Sequence, residues 1–500
     1  MMTRFVSLAL APTLARGRVA RRLAAGVAVA SLSLSLAACN AVDSFLSVPP
    51  PAGQQTGAAL EGKEGAEGVF NQGRALFRAA YGADDASLLM VTDILSDAYH
   101  VIDVYGGSGL NLDARRTAGN SIPGGFLELG DAPLAHLYGA RSELLKAVEV
   151  LPKYEPDSAL YRVGEAYALI AYTELFIAEN YCAGATLDRT LLNDGIEYGQ
   201  PLTTDSLLGV AEAHFDSALA HAHGSAAVRG LASIGLGRAR IGRGNASGAA
   251  AAVAGVATSF AYTLQYGTDY GARDMYYHEG SPSCYTFQLM TMSDNEGTSG
   301  LNYVSANDPR LPVQDSLCEH PASYLGYAPY HKVIPLKYPA DITALPFATG
   351  IEARLIEAEA ALRSGDPSWL TTLNALRTTC TGGAGTCATP APAGSGQVAG
   401  LPPLADPGVP DSSIKLLFRE RAFWLFGQGS RLGDMRRMVR LYHLPADNVF
   451  PRGNFPNGAG PQILNPILTY GTDIALTLPT PEAGASTTNP YYRGCIDATT

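Results

Sequence analysis

Residues 416–438 read LLFRERAFWLFGQGSRLGDMRRM, and this stretch decides the fold. Its pattern predicts a helix, a break at Gly427 and Gly429, and a second, basic helix. Packing helices this apolar would also bury their charged side chains, and a lone buried charge carries a large free-energy cost. We therefore expect the charges to pair in an internal network that locks these helices onto the rest of the fold. The residues of this predicted network are Glu420, Arg421, Arg431 and Asp434.

Two stretches further upstream resemble each other and predict paired helices. Residues 228–256 and 351–377 each contain a helix rich in small residues, a short turn and a second helix. The turn residues are Gly244 and Asn245 in the first stretch and Gly365 and Asp366 in the second. Glycine adopts the left-handed conformation that ends a helix, and Asn or Asp caps the next one. Because alanine and glycine allow close helix approach, we predict tetratricopeptide-like hairpins, spaced too irregularly for a regular solenoid.

The first half of the chain is also helical by pattern. Apolar residues recur there at steps of three and four, as amphipathic helices require. The stretches with this period are residues 69–82, 87–102, 133–151 and 159–181. A further helix begins with Asp205 and Ser206 as its predicted cap. The predicted fold class is therefore mainly α, with helical hairpins forming a scaffold.

Between the two hairpins the character of the sequence changes. Residues 260–345 are rich in tyrosine, proline and glycine and show no helical period, which predicts loops and short strands. Residues 387–413 and the tail after Pro445 are irregular as well. Ordered loops this long inside a compact domain usually carry function.

The N-terminus has the layout of an export signal. Residues 1–22 contain arginines and no acidic residue, and residues 23–38 are uncharged and too short to span a bilayer comfortably. The run ends in LAAC, which resembles the lipobox of bacterial lipoproteins and predicts that Cys39 is acylated. We thus expect a signal peptide at 1–38 and a lipidated, flexible, proline-rich tether at 39–57. An ordinary secretory signal, with Cys39 near its cleavage site by chance, is the alternative.

Charge and cysteine content restrict the partners and cofactors. The net charge of −11 argues against a nucleic-acid partner, which needs a clustered basic face. Seven cysteines leave six after Cys39, an even number that predicts disulfides in an exported chain. Cys380 and Cys387 flank a flexible loop and are predicted to form a disulfide. The cysteines whose pairing stays open are Cys182, Cys284, Cys318 and Cys495. No metal-ligand spacing occurs in the sequence, so we predict no metal site and no cofactor.

The stretch at 416–438 resembles the C-terminal signature of the SusD/RagB family of outer-membrane nutrient-binding lipoproteins. The matching residues are Glu420, Arg421, Leu425, Gly429, Arg431, Asp434, Arg436 and Arg437. Trp424 and Gln428 stand where the family pattern has acidic residues, which puts any salt bridge of those acids in doubt here. Other landmarks of the family follow in order. These are the lipobox, NDPRL at 307–311, IEAEAALRSGD at 356–366, LNALR at 373–377 and LPTPEAGASTTNP at 478–490.

The resemblance spans the mature chain and implies capture of a nutrient without catalysis. Family members face the cell exterior from the outer membrane, cover a SusC-like TonB-dependent transporter and hold oligosaccharides or peptides for import. It implies one SusD-like domain at 58–500 in a monomeric protein. Its predicted parts are a helical scaffold at 58–258 and 345–445, a loop-rich ligand-facing region at 260–345 and an irregular tail at 446–500.

Tyrosines of the loop-rich region are the predicted ligand contacts. A glycan binder needs flat aromatic faces for sugar C–H surfaces and hydrogen-bonding groups at the rim. The candidate set is Tyr266, Tyr270, Tyr276, Tyr277, Tyr324, Tyr327 and Tyr330. The alternative is that these tyrosines pack the irregular segments, with their hydroxyls reaching solvent. Trp369 and Trp424 both lie on predicted helices, so a large tryptophan platform is not expected.

Two other functions remain open on the sequence. An exported glycoside hydrolase would need a pair of carboxylates, for which the acidic clusters are Glu352, Glu357 and Glu359, and Asp93, Asp97 and Asp103. The sequence lacks the short motifs of the common hydrolases at a convincing position. A periplasmic or surface helical-repeat scaffold, binding proteins in a concave groove, is the second alternative.

Overall fold

The structure is a computed structural model of the 500-residue chain. The chain divides into residues 1–55 and 56–500, and all the residues that the structure describes belong to the second unit. The described residues are 60–83, 87–101, 108–117, 131–193, 195–266, 290–318, 330–337, 344–379, 401–455, 469–479 and 489–497. In these ranges no helix combines the length and the apolar character that crossing a membrane requires.

The described chain is mainly helical, as the sequence predicts. The α-helices are α1 (Lys63–Arg78), α2 (Leu88–Leu95), α3 (Ser108–Asp113), α4 (Asp131–Tyr154), α5 (Tyr161–Asn180), α6 (Thr204–Ala220), α7 (Ala226–Gly242), α8 (Ala246–Val253), α9 (Gly350–Ser364), α10 (Ser368–Thr379), α11 (Pro410–Trp424) and α12 (Arg431–Tyr442). The strands are β1 (Tyr99–Val101), β2 (Arg189–Thr190), β3 (Ile196–Glu197), β4 (Ala261–Gln265), β5 (Met290–Met292), β6 (Val313–Cys318), β7 (Tyr330–Pro335) and β8 (Ala344–Thr349). Each described sheet consists of two antiparallel strands, paired as β1–β5, β2–β3, β4–β8 and β6–β7.

The two predicted hairpins are present as α7–α8 and α9–α10. Gly244 and Gly365 have φ of 82° and 74°, the left-handed conformation that ends the first helix of each pair. The Asn245 side chain accepts a hydrogen bond from the Gly248 N–H at 3.0 Å, and the Asp366 side chain accepts one from the Ser368 N–H at 2.9 Å, at the start of the next helix. A Cβ on Gly237 would lie 2.5 Å from a methyl carbon of Val253, so a larger residue would force α7 and α8 to shift where they meet.

An aromatic cluster joins the helical scaffold to the strand pair β4–β8. The Phe347 ring of β8 packs edge-on against Phe77 of α1 and Tyr172 of α5, with centroid distances of 5.5 and 4.7 Å. Tyr81 and Phe176 complete the cluster, and all five side chains are buried. Edge-to-face geometry of this kind adds about 0.5–1.5 kcal/mol per pair beyond the burial of area. The strands of the loop-rich region are therefore anchored in the main core.

Two local predictions are wrong. The helical pattern at 87–102 ends at Leu95, and Tyr99–Val101 forms β1, paired with β5 about 190 residues later. Pairing with this distant strand overrides the local period. The helix predicted to be capped by Asp205 and Ser206 is capped by Thr203, whose hydroxyl accepts a hydrogen bond from the Ser206 N–H at 3.2 Å. Thr203 has the extended backbone of an N-cap, whereas Asp205 already lies in the first turn.

The C-terminal tail is attached to the end of α5. Cys182 forms a disulfide with Cys495, across a sequence separation of 313 residues. Backbone hydrogen bonds run beside it, from Cys182 N–H to the Leu476 carbonyl at 2.9 Å and from Ala183 N–H to the Asp497 carbonyl at 3.0 Å. Cys318 is disulfide-bonded as well. The predicted pair of Cys380 and Cys387 lies outside the described residues, as does Cys284.

Candidate functional site

Glu420 is the centre of a buried cluster of charges on α11. Its carboxylate, which is fully buried, lies 2.7 Å from the Arg310 Nη1 and 2.8 Å from the Arg377 Nη1. Asp308 forms a second ion pair with Arg310 at 2.6 Å. Arg310 also lies over the ring of Trp424, 5.0 Å from the centroid, so the tryptophan that replaces an acid of the family pattern contributes a cation–π contact instead.

A second group of charges joins α11, α12 and α9. The Arg421 guanidinium binds Asp434 with two hydrogen bonds, at 2.7 and 2.9 Å. Arg437 binds Glu359 in the same bidentate way and also reaches Asp434 at 2.8 Å. Burial alone would raise the pKa of the Asp434 carboxyl, but the guanidinium groups of Arg421 and Arg437 hold that pKa below its usual value. Asp434 is therefore ionised in the fold, and its contribution to stability is complete above the unfolded pKa and is lost on acidification.

The remaining signature residues attach α12 to neighbouring helices. Arg431 binds Asp97 with two hydrogen bonds, at 2.6 and 2.7 Å. Arg436 donates to the carbonyl oxygens at the end of α5, the shorter bond being 2.6 Å to Glu179. Gly429 has a φ of 61°, and a Cβ there would lie 3.0 Å from Leu89. This position therefore needs glycine for its backbone and for its close contact with α2.

We call these buried contacts together the ion network, which consists of three groups of ion pairs. Its members are Asp97, Asp308, Arg310, Glu359, Arg377, Glu420, Arg421, Arg431, Asp434 and Arg437. Three of the motifs noted in the sequence converge on it, since NDPRL supplies Asp308 and Arg310, IEAEAALRSGD supplies Glu359 and LNALR supplies Arg377. Every member is buried, as expected of charges that hold helices in position.

The closing Asn-Pro motif fixes the tail in a similar way. The Asn489 amide donates hydrogen bonds to Asp188 at 2.7 Å and to the Gly199 carbonyl at 2.9 Å. The Asn489 oxygen in turn accepts from the Tyr491 N–H. Asn489 is 5% exposed, so its amide group is used inside the protein.

The candidate tyrosines fall mostly outside the described residues. Tyr266, at the end of β4, is half-buried, packs against the core and donates its hydroxyl to the Arg78 carbonyl at 3.2 Å. Tyr330 begins β7, where its backbone pairs with Cys318, and its side chain is outside the described part. The candidates that lie outside the described residues altogether are Tyr270, Tyr276, Tyr277, Tyr324 and Tyr327.

Most of the described carboxylates proposed for a hydrolase are buried. Glu359 and Asp97 belong to the ion network, and Glu352 is 3% exposed beside Arg238. Glu357 lies 3.0 Å from Arg354. Asp93 is 1% exposed, and Asp103 is outside the described residues. Glu352, Glu359 and Asp97 therefore have the burial and the arginine partners that are typical of structural ion pairs.

A cleft among the described helices is strongly basic. It is lined by Ala178, Glu179, Thr204, Leu208, Gly242, Gly433, Arg436, Arg437 and Arg440. Burial and the nearby Arg440 charge lower the pKa of Arg436 to about 9. No aromatic side chain lines this cleft, so it lacks the flat faces on which a sugar ring stacks.

One cluster with metal-ligand chemistry was missed by the sequence analysis. His100, Asp113 and Glu296 place their potential ligand atoms within 4.8 Å of one another. They come from β1, α3 and the segment after β5, and their separation in sequence hides them from any motif. Among the described residues this is the set that could hold a metal ion.

Comparison with known proteins identifies the fold. No protein-family model matches this chain, and no curated protein matches it either. Solved structures do match. A SusD superfamily protein from Bacteroides thetaiotaomicron superimposes with a TM-score of 0.58 at 12% identity, covering 86% of this chain and 98% of that one. The chain has the SusD-like fold.

Other solved structures agree. Bacteroides fragilis NanU matches with a TM-score of 0.57 at 10% identity, over 90% of this chain and 99% of that one. A SusD-like carbohydrate-binding protein from Bacteroides vulgatus matches with a TM-score of 0.53 at 15% identity, over 75% and 83%. The resemblance seen in the sequence and the predicted mainly helical fold class are thus confirmed at the level of the fold. Because the sequence identity is low, the family resemblance was visible in the sequence only as several short motifs that occur in the expected order.

Proposed function

We propose that this protein is a SusD/RagB-family lipoprotein that captures oligosaccharides at the cell surface and delivers them to a TonB-dependent outer-membrane transporter. The observation that carries the proposal is the SusD-like fold over nearly the whole chain, including 86% of it in one comparison. A solved protein of this fold is described as carbohydrate-binding. The proposal is capture without catalysis, and the burial or pairing of the described carboxylates of the hydrolase alternative supports it.

The division between a rigid scaffold and strand-borne loops supports capture. The ion network and the aromatic cluster hold the helices and strands β4 and β8 in fixed positions. A binding loop gains affinity when its ends are held rigidly, because less conformational entropy is lost on binding. We propose that the tyrosine set of the loop-rich region, residues 260–345, supplies the stacking faces for sugar rings.

Lipidation of Cys39 would hold this domain at the membrane. The short apolar run before the cysteine and the proline-rich segment 39–57 support a lipid anchor followed by a tether. An anchor and a tether keep the binding face free to meet a transporter. The proposed partners are a SusC-like barrel and an oligosaccharide, with a peptide as the alternative ligand.

Glycan binding by the full chain tests capture. We expect the detergent-solubilised protein to bind members of a panel of oligosaccharides. The double change Tyr276→Ala and Tyr277→Ala should weaken binding of the tightest-bound oligosaccharide at least about tenfold, because stacking contributes about 1–3 kcal/mol. Isothermal titration calorimetry measures the dissociation constants. Tyr154→Ala is the matched control, because Tyr154 is an exposed tyrosine on a scaffold helix. Binding to peptides and to no glycan in the panel would overturn the ligand class.

Anchoring is tested separately at Cys39. We expect the wild-type chain to partition with outer-membrane vesicles and Cys39→Ala to remain in the aqueous fraction or as an uncleaved precursor, because acyl chains provide the membrane affinity. Fractionation followed by intact-mass measurement gives the result. Protease added to intact cells reports the side of the membrane. Surface anchoring is contradicted if the mature protein has an unmodified Cys39 thiol, or if external protease does not cleave it. Glycan capture is tested independently by the binding assay.

A further inference from the structure

Three residues from separate parts of the chain form a compact set of metal-type donors. His100 lies on β1, Asp113 ends α3 and Glu296 follows β5, and their ligand atoms are within 4.8 Å of one another. Donors bound to one zinc ion lie about 3–4 Å apart, given bond lengths of about 2.0–2.2 Å. Side-chain movements of about 1 Å or less would therefore bring the three ligand atoms to the distances that one bound ion requires.

The donors are held by hydrogen bonds of the kind that orient metal ligands. The Val101 N–H donates to Asp113 Oδ2 at 2.7 Å, and the same oxygen lies 2.8 Å from His100 Nδ1. Glu296 accepts hydrogen bonds on both of its oxygens. The donors to it are the Ser293 hydroxyl at 2.6 Å and the Tyr470 hydroxyl at 2.8 Å. Such outer contacts fix ligand direction and strengthen metal binding.

The cluster contains two buried carboxyl groups. The Asp113 side chain is fully buried, and within the described part of the chain its Oδ1 has no hydrogen-bond partner. Glu296 is 5% exposed, so its carboxyl group is buried beside that of Asp113. An unpaired buried carboxylate oxygen costs free energy that a bound cation would remove. The cluster therefore has both an unused donor atom and a reason to attract an ion.

We propose that His100, Asp113 and Glu296 bind one divalent transition-metal ion of the zinc class. The imidazole favours zinc over calcium or magnesium, because those two ions prefer oxygen ligands alone. Two carboxylates and one imidazole fill three of the four positions of a tetrahedral zinc site. The His100 side chain is 12% exposed, so an ion reaches the set from solvent on that side. The ion ties β1, α3 and the segment after β5 together. Its role is structural, at the base of the loop-rich region.

Zinc binding by the full chain tests the assignment. The full-length protein, purified in detergent without a histidine tag and treated with EDTA, is dialysed against Zn²⁺, and bound metal is measured by atomic emission. We expect about one equivalent more zinc in wild type than in Asp113→Asn or His100→Gln. Binding to the folded state alone raises the thermal midpoint, and we expect about 3 °C at a hundredfold excess over the dissociation constant.

A second histidine–aspartate pair provides the matched control. His331 Nδ1 lies 2.8 Å from Asp315, the same distance as in the cluster, but both side chains are more than half exposed. His331→Gln should therefore leave the extra equivalent and the thermal shift unchanged. Should Asp113→Asn fail to fold, His100→Gln decides, because His100 is at the exposed edge. Equal zinc content in wild type and both cluster variants, or binding of Ca²⁺ with no binding of Zn²⁺, overturns the assignment.

Discussion

Replacing Glu420 with alanine is expected to lower the free energy of unfolding by about 3–5 kcal/mol. The Glu420 carboxylate is fully buried and accepts hydrogen bonds from Arg310 and Arg377. Without it, these guanidinium groups stay buried with less opposite charge, and Asp308 alone cannot neutralise both. In a folded region of this size the change corresponds to a thermal midpoint about 3–5 °C lower. Denaturant unfolding and calorimetry measure both quantities.

An exposed ion pair on the same protein provides the control for Glu420. Glu149 pairs with Arg189, and both side chains are more than one-third exposed. We expect Glu149→Ala to cost less than about 1 kcal/mol, because water screens exposed pairs. Glu420→Gln keeps the size of the side chain and removes its charge. We therefore expect it to lower the free energy of unfolding by most of the amount that Glu420→Ala does. A Glu420→Ala protein as stable as Glu149→Ala would contradict the central role of Glu420 in the ion network.

Removal of the disulfide between Cys182 and Cys495 is expected to lower stability by about 2–5 kcal/mol. The bond closes a loop with a sequence separation of 313 residues, so it strongly limits the entropy of the unfolded chain. The chain-entropy relation gives about 5–6 kcal/mol for a loop of that length, and measured values are usually lower. The double change Cys182→Ala and Cys495→Ala tests this by denaturant unfolding under oxidising conditions.

A reducing agent serves as the control for the disulfide. In dithiothreitol the wild type loses the same bond, and both proteins lose their other disulfides equally. The difference between wild type and the double variant should then fall to the small packing contribution of the sulfur atoms. A double variant that matches wild type under oxidising conditions would show that the tail is held by its backbone hydrogen bonds alone, such as that from Cys182 N–H to Leu476.

Local patterns predicted the scaffold because helices and turns are stabilised by residues close in sequence. The turns at Gly244 and Gly365 have the left-handed glycine that was expected. The pattern failed at 99–101, where a strand partner about 190 residues away decides the conformation. The cap at Thr203 was missed because Thr, Asp and Ser are adjacent there and all favour a cap.

The candidate site was predictable only in part. The tyrosine-rich composition of residues 260–345 pointed to a binding region, and most of that set lies outside the described residues. The donors His100, Asp113 and Glu296 were invisible to sequence reasoning, because their separation in the chain matches no ligand motif. A solitary histidine or carboxylate has no period and no local partner that would mark it.

The amino-acid sequence by itself determined that this protein is built from helical hairpins and that the charges at 416–438 must be paired. Both follow from short-range physics: the helical period, the caps and the high cost of a lone buried charge. Only the tertiary structure decided the partners, joining Glu420 to Arg310 and Arg431 to Asp97. Partner choice depends on which distant segments meet when the core is packed, and no local pattern encodes that meeting.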